Sequence, residues 1–192
     1  MGHHSKWIHY TSDELSGFER IKVDVAQTSF FEGREFRTFK ELNIPVGSTL
    51  VLKVLSPVNT VVFGFGFDLD AGWMRCALKT GGTEGGVFNG PLPIIPVNTM
   101  SPGEDHRNDY GINGNEVYAP KVTIHSGGTH TGGIEQDVIR AKVGGNSQSA
   151  SSTGVAPTDE TGMPAATYYV CMTNLGNEAV TGVFRARWEE RP

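Results

Sequence analysis

Apolar and polar residues alternate with a period of two over much of the chain. That is the spacing of half-buried strands, in which successive side chains point to opposite faces. Ile21, Val23 and Val25 alternate with Lys22 and Asp24, and a second strand is expected over Glu35–Leu42, with Phe36, Arg37, Thr38, Phe39 and Lys40. Thr49–Leu55 is nearly continuously apolar, as a central strand should be. In Val61–Phe67, Phe63, Phe65 and Phe67 fall on one face, and Gly64 and Gly66 on the other. The ring face predicts a core. The glycine face predicts close approach of a backbone or partner chain. Further strands are expected over Trp73–Leu78, with Trp73 in the core, at Val122–Ile124 and over Ile134–Val143. Val87–Thr99 carries Pro91, Pro93 and Pro96 and predicts an edge strand or extended segment. The last element is expected to be a hairpin, Thr167–Thr173 against Ala179–Glu189 across Asn174-Leu175-Gly176-Asn177. In its second strand Val180, Phe184, Ala186 and Trp188 share a face with Gly182. Thr181, Arg185, Arg187 and Glu189 share the other, interrupted by Val183.

Between these runs lie turn signals: Asn43–Gly47 with Pro45, and Ser56–Asn59 with Pro57. Thr80–Gly86, Ser101–Tyr118, Ser126–Gly133 and Gly144–Met163 are expected to be loops, the last long enough to be functional or mobile. The pattern gives roughly nine strands and no convincing amphipathic helix, so it predicts an all-β fold: an antiparallel β-sandwich, jelly-roll-like in strand number. Residues 1–28 are expected to form an N-terminal arm and 29–192 the sandwich domain. The arm carries Trp7, Ile8 and Tyr10 as apolar islands, and Thr11 with Glu14 three residues on has the pattern of a helical cap.

Composition adds limits. A chain of 192 residues fits one domain with an arm and can bury a core without staples. The 25 glycines favour many turns. Lys+Arg number 16 against 21 Asp+Glu, with signs mixed and no basic stripe, which argues against a nucleic-acid partner. No run approaches the roughly 18 apolar residues of a membrane helix, and Met1–Tyr10 lacks the apolar core of a secretory leader. Cys76 and Cys171 both sit in strand-like runs and are expected to be buried free thiols, with a disulfide left open.

The search for chemistry finds no nucleophile elbow, phosphate loop or zinc-protease motif. Asp68-Leu69-Asp70-Ala71-Gly72 resembles the start of a calcium loop but has Lys79 where the distal Glu belongs, so a turn is expected. His125 and His130 could meet symmetry mates at a metal; exposed loop positions are the plainer expectation. Glu104, Asp105, His106 and Asp109 could serve acid–base work or form an exposed polar loop. No catalytic residue, cofactor or metal is assigned. Trp7, Tyr10, Gly64, Gly66, Arg185, Arg187 and Glu189 are the candidate contacts to partners or copies, since complementary charges set register.

Three stretches carry a resemblance: Glu32–Gly47, the Gly-Gly-Thr triplets at 81–83 and 127–129, and the ending from Gly162-Met163-Pro164 to Glu189-Glu190-Arg191. They are similar to virion structural proteins of tailed bacteriophages over residues 30–192. The resemblance implies a non-enzymatic, β-rich particle component, assembled in the host cytoplasm. It would be a capsid decoration (cement) protein that binds the major capsid protein as a homo-oligomer such as a trimer. A tail- or neck-attached fibre component is the sister expectation, and a carbohydrate-binding receptor module, using Tyr110, Tyr118 or Trp73, is the rival.

Overall fold

The computed structural model describes residues 8–12, 19–23, 33–97, 119–143, 150–153 and 161–191. The chain divides into two compact units, residues 1–33 with 98–118, and 34–97 with 119–192. In the first unit, β1 (Ile8–Ser12) and β2 (Glu19–Val23) pair antiparallel, Ile8 opposite Val23 and Tyr10 opposite Ile21. Thr11, expected to cap a helical turn, is in a strand; Glu14, Trp7 and Val25 lie outside the described residues.

The second unit is a β-sandwich of two antiparallel sheets. Its strands are β3 (Glu35–Ile44), β4 (Thr49–Ser56), β5 (Asn59–Ala71), β6 (Trp73–Thr80), β7 (Thr83–Pro91), β8 (Ile95–Pro96), β9 (Thr123–Thr131), β10 (Ile134–Lys142), β11 (Ala150–Thr153), β12 (Thr161–Met163), β13 (Ala166–Asn174) and β14 (Val180–Arg191). One sheet has the order β10-β6-β13-β4-β9-β7. The other has β11-β5-β14-β3-β8, with β12 also on β5. The strands outnumber those expected because parts of three anticipated loops are strand. β11 and β12 fall within Gly144–Met163, and β7 and β9 take up Thr83–Gly86 and Ser126–Thr131.

The alternation in the sequence sets the inner faces. Phe36, Leu42 and Ile44 of β3, Phe65, Phe67 and Leu69 of β5, and Val180, Phe184 and Trp188 of β14 meet Leu52, Met74, Cys76, Val170 and Met172 from the opposing sheet, all buried. Each such side chain contributes about 1.5–3 kcal/mol. Phe63 departs from its expected place. The ladder shifts between Arg187 and Trp188, so Phe63 is the extra residue of a β-bulge and is only half-buried. The expected C-terminal hairpin is also corrected: β13 pairs with β4 and β6, β14 with β3 and β5, so the two lie in different sheets. The connection is an arch held by buried Asn174. Its amide donates to Ile44 O at 2.9 Å and Glu178 O at 2.7 Å, and its side-chain oxygen accepts Gly176 N–H at 2.8 Å. Cys76 and Cys171 are free, and the alternation of β6 and β13 puts them on opposite faces of one sheet. Burial pushes the Cys76 thiol up to about 12.

One end of the sandwich gathers buried carboxylates. Glu190 Oε1 and Oε2 accept the Lys121 and Val122 amides at 2.9–3.1 Å, and Oε1 accepts Trp188 Nε1–H at 3.3 Å. Arg34 Nη1 donates to Glu189 at 2.9 Å and to Glu190 O, and Val97 N–H donates to Glu35 O at 2.9 Å. Arg34, Val97 and Lys121 stand at or near the points where the chain enters and leaves this unit, so the Glu189 and Glu190 carboxylates tie down Arg34 and Lys121, and the Glu35 carbonyl ties down Val97.

Candidate functional site

Two surfaces of the sandwich hold the residues singled out in the sequence. The first is the outer face of the sheet containing β3, β14 and β5. On it Arg185 stands opposite Phe39 on one side and Gly66 on the other, and Arg187 opposite Arg37 and Gly64. Five of the seven candidate contacts, Gly64, Gly66, Arg185, Arg187 and Glu189, therefore share one sheet across the adjacent strands β5 and β14. Tyr10 is in the β1–β2 hairpin, and Trp7 lies outside the described residues.

The glycines leave a low track beside the long arginines, and a neighbouring surface could approach along it. Arg185 Nη1 pairs with Asp68 Oδ2 at 3.2 Å, with both side chains largely exposed, which discounts the pair to at most about 1 kcal/mol. Asp68 is thus a strand residue facing a guanidinium, not part of the expected turn. Arg187 Nη2 donates to Glu35 Oε2 at 2.6 Å, and its guanidinium carbon lies 5.3 Å from the Phe63 ring centre. Glu189 is buried and accepts from Arg34 and Arg191, so its carboxylate orders this end of the face. Phe39 is 50% exposed, in the polar stripe of β3 between Arg37 and Glu41. The sequence held the signal: a large apolar residue out of phase with its strand.

The second surface is the outer face of the opposing sheet. Gly127 and Gly128 take positive φ, and the β7–β9 ladder is interrupted between Gly85 and Phe88. The antiparallel pair of β7 and β9, distant in the chain, folds over its own sheet and covers Val51, Tyr169 and Cys171 with Phe88. Gly128 has to be glycine, since a Cβ there would sit 2.6 Å from the Phe88 ring. Glu84 fastens the strand pair: it accepts Lys53 Nζ–H at 2.7 Å and the Tyr169 hydroxyl. His130 stacks on Tyr169 with ring centres 3.9 Å apart. Its Nε2 is 2.7 Å from Gly81 O; a carbonyl only accepts, so Nε2 carries the proton. Nδ1 is left facing Cys171 Sγ at 3.8 Å.

The electrostatics follow from these contacts. Hydrogen bonds from Lys53 and then Tyr169 hold the Glu84 carboxyl below its ordinary range. Burial first, then Glu84, pushes Tyr169 up to about 12. Burial raises the Cys171 thiol, so the Cys–His contact holds a protonated sulfur within a packed cluster. His130 and His125 are therefore half-buried strand residues and not exposed loop positions; His125 Nδ1 lies 3.1 Å from Asn89 O.

Trp73, expected in the core, is 38% exposed on the outer face opposite Lys142, whose ammonium lies 5.4 Å from the ring centre. It borders a shallow recess with Leu175, Asn177 and Glu178. Glu104, Asp105, His106, Asp109, Tyr110 and Tyr118 lie outside the described residues. Comparison with protein-family models, curated proteins and solved structures finds no match to this chain.

Proposed function

We propose that this protein is a non-enzymatic structural component of a tailed-phage virion, a capsid decoration (cement) protein that binds the shell as a homo-oligomer. The observation that carries the reading is the outer face of β3, β14 and β5: exposed Phe39 and Arg185 beside the low track of Gly64 and Gly66. A half-exposed ring with an arginine beside it is the composition of an interface anchor. The strand order supports a jelly roll, an architecture that recurs in viral capsid domains. Along β3, β4, β5 and β6 the chain alternates between sheets. β3-β14-β5-β11 in one sheet face β4-β13-β6-β10 in the other, which is the order of two interlocked Greek keys. Residues 1–28 are proposed as the arm that docks on a neighbour, through Trp7 and Tyr10.

Cryo-EM of particles lacking the protein tests the location. Density lost from the shell supports decoration. Density lost from the tail or neck replaces it with the fibre-component reading. A second reading, a carbohydrate-binding module, is favoured by the exposed ring of Trp73 beside Asn177 and Glu178, since sugars stack on such rings. Glycan-array binding abolished by Trp73→Ala would establish that reading, and an array without hits would end it.

A further inference from the structure

The interior of the sandwich is not filled throughout. A cavity of about 510 Å³ lies between the sheets, with Leu52, Leu78 and Val170 on one wall and Phe65, Phe184 and Trp188 on the other. Protein interiors hold few voids larger than a water molecule. This space falls instead in the range of small-molecule pockets, about 300–1,000 Å³. Its cause is visible in the sequence. Ala186 occupies the inner stripe of β14 between Phe184 and Trp188, where a larger side chain would narrow the gap, and exposed Gly162 and Ala166 stand at its open rim.

Ser56, Thr60, Tyr168 and Thr80 bring hydroxyls to the cavity, and among the described residues the one carboxylate on its lining is on β10. The β10 ladder skips Gln136, and this bulge sets half-buried Asp137 opposite inward-facing Leu78 on the edge strand, where its Oδ1 accepts Val138 N–H at 2.7 Å. Gln136 Nε2 donates to Thr80 Oγ1 at 3.1 Å beside it. Arg187 also borders the cavity, with its guanidinium bound to Glu35 on the outer face.

We propose that this cavity is a binding site for an apolar small molecule whose single polar head donates a hydrogen bond, an alcohol or amine, to Asp137. An anionic head is disfavoured, because it would meet the carboxylate. The site is independent of the outer-face contacts and stands or falls apart from them.

The test uses the full chain and the neutral fluorophore N-phenyl-1-naphthylamine, followed by its own emission and by energy transfer from Trp188. Saturable binding at one dye per chain is expected. A long-chain alcohol should displace the dye at least tenfold more effectively than the carboxylate of equal length, and Asp137→Asn should narrow that gap. Ala186→Leu, which fills the cavity, should weaken dye binding at least tenfold with the melting temperature held or raised. Unsaturable dye binding overturns the proposal, as does binding unchanged in a folded Ala186→Leu protein. If that variant does not fold, the alcohol–carboxylate competition on the unaltered protein decides. A carboxylate that competes as well as the alcohol overturns the assignment to Asp137.

Discussion

Gly182 is held in an arrangement that no other residue type could keep. It sits in the inner stripe of β14 at φ +146°, beside the ladder shift opposite Asp70, and a Cβ there would lie 2.1 Å from Asp68 O. The obstruction is backbone, which cannot rotate away as a side chain would. Gly182→Ala is therefore expected to destabilise the fold by more than about 1 kcal/mol, the usual cost of alanine at a positive-φ glycine, with the clash added. Urea unfolding monitored by circular dichroism checks this; an unchanged midpoint would mean that the bulge relaxes freely. The sequence marks Gly182 as a glycine in an apolar stripe, but it carries no sign of the positive φ, which accompanies the register shift between β5 and β14.

At the scale of elements, the folded-over strand pair of β7 and β9 depends on two titrations with opposite signs. Glu84 has a folded pKa below its ordinary 4.5, so its contribution is complete above that pH and is lost as pH falls through the lowered value. Tyr169 moves from 10.0 to about 12, so its contribution is complete below pH 10.0 and is lost as pH rises towards about 12. The strand pair should therefore be fastened across neutral pH and loosen at both extremes. Ultraviolet titration of the tyrosines should show one phenol ionising near 12. Glu84→Gln should bring it part of the way back, because burial remains the larger cause. Tyrosines that all titrate together near 10 would show that the strand pair does not cover Tyr169 in solution. The glycines of 81–86 and 126–133 had suggested loops. They instead form the turns to β6 and β10 and the irregular stretch of the β7–β9 ladder, a use of glycine that the sequence does not separate from flexibility.

For the molecule as a whole, the proposal of a self-assembling particle component makes a claim about mass. Light scattering after gel filtration should give a closed oligomer, and Phe39→Asp should shift it towards monomer with the melting temperature unchanged, since Phe39 is on the outer face and outside the core. A monomeric unaltered protein would remove self-assembly from the reading and leave a protein that assembles only on its particle or a binding module. An oligomer indifferent to Phe39→Asp would move the contact to another face.

The sequence by itself determined the all-β class and the inner faces of its most regular strands. Period-two alternation in β5 and β14 placed Phe65, Phe67, Phe184 and Trp188 in the core, because a strand can bury only one of its two faces against the opposing sheet. Tertiary structure alone decided which strands share a sheet. Ladders are made by backbone groups that are the same in every residue, and Asn174–Ala179 could equally close a hairpin or arch across to the other sheet; Asn174 made it an arch through its bonds to Ile44 and Glu178. Tertiary structure likewise buried Cys171 and Tyr169 on an outer face and left Trp73 exposed on the same face. Periodicity reports the two faces of a strand, and only the packing of distant elements decides which parts of those faces meet water.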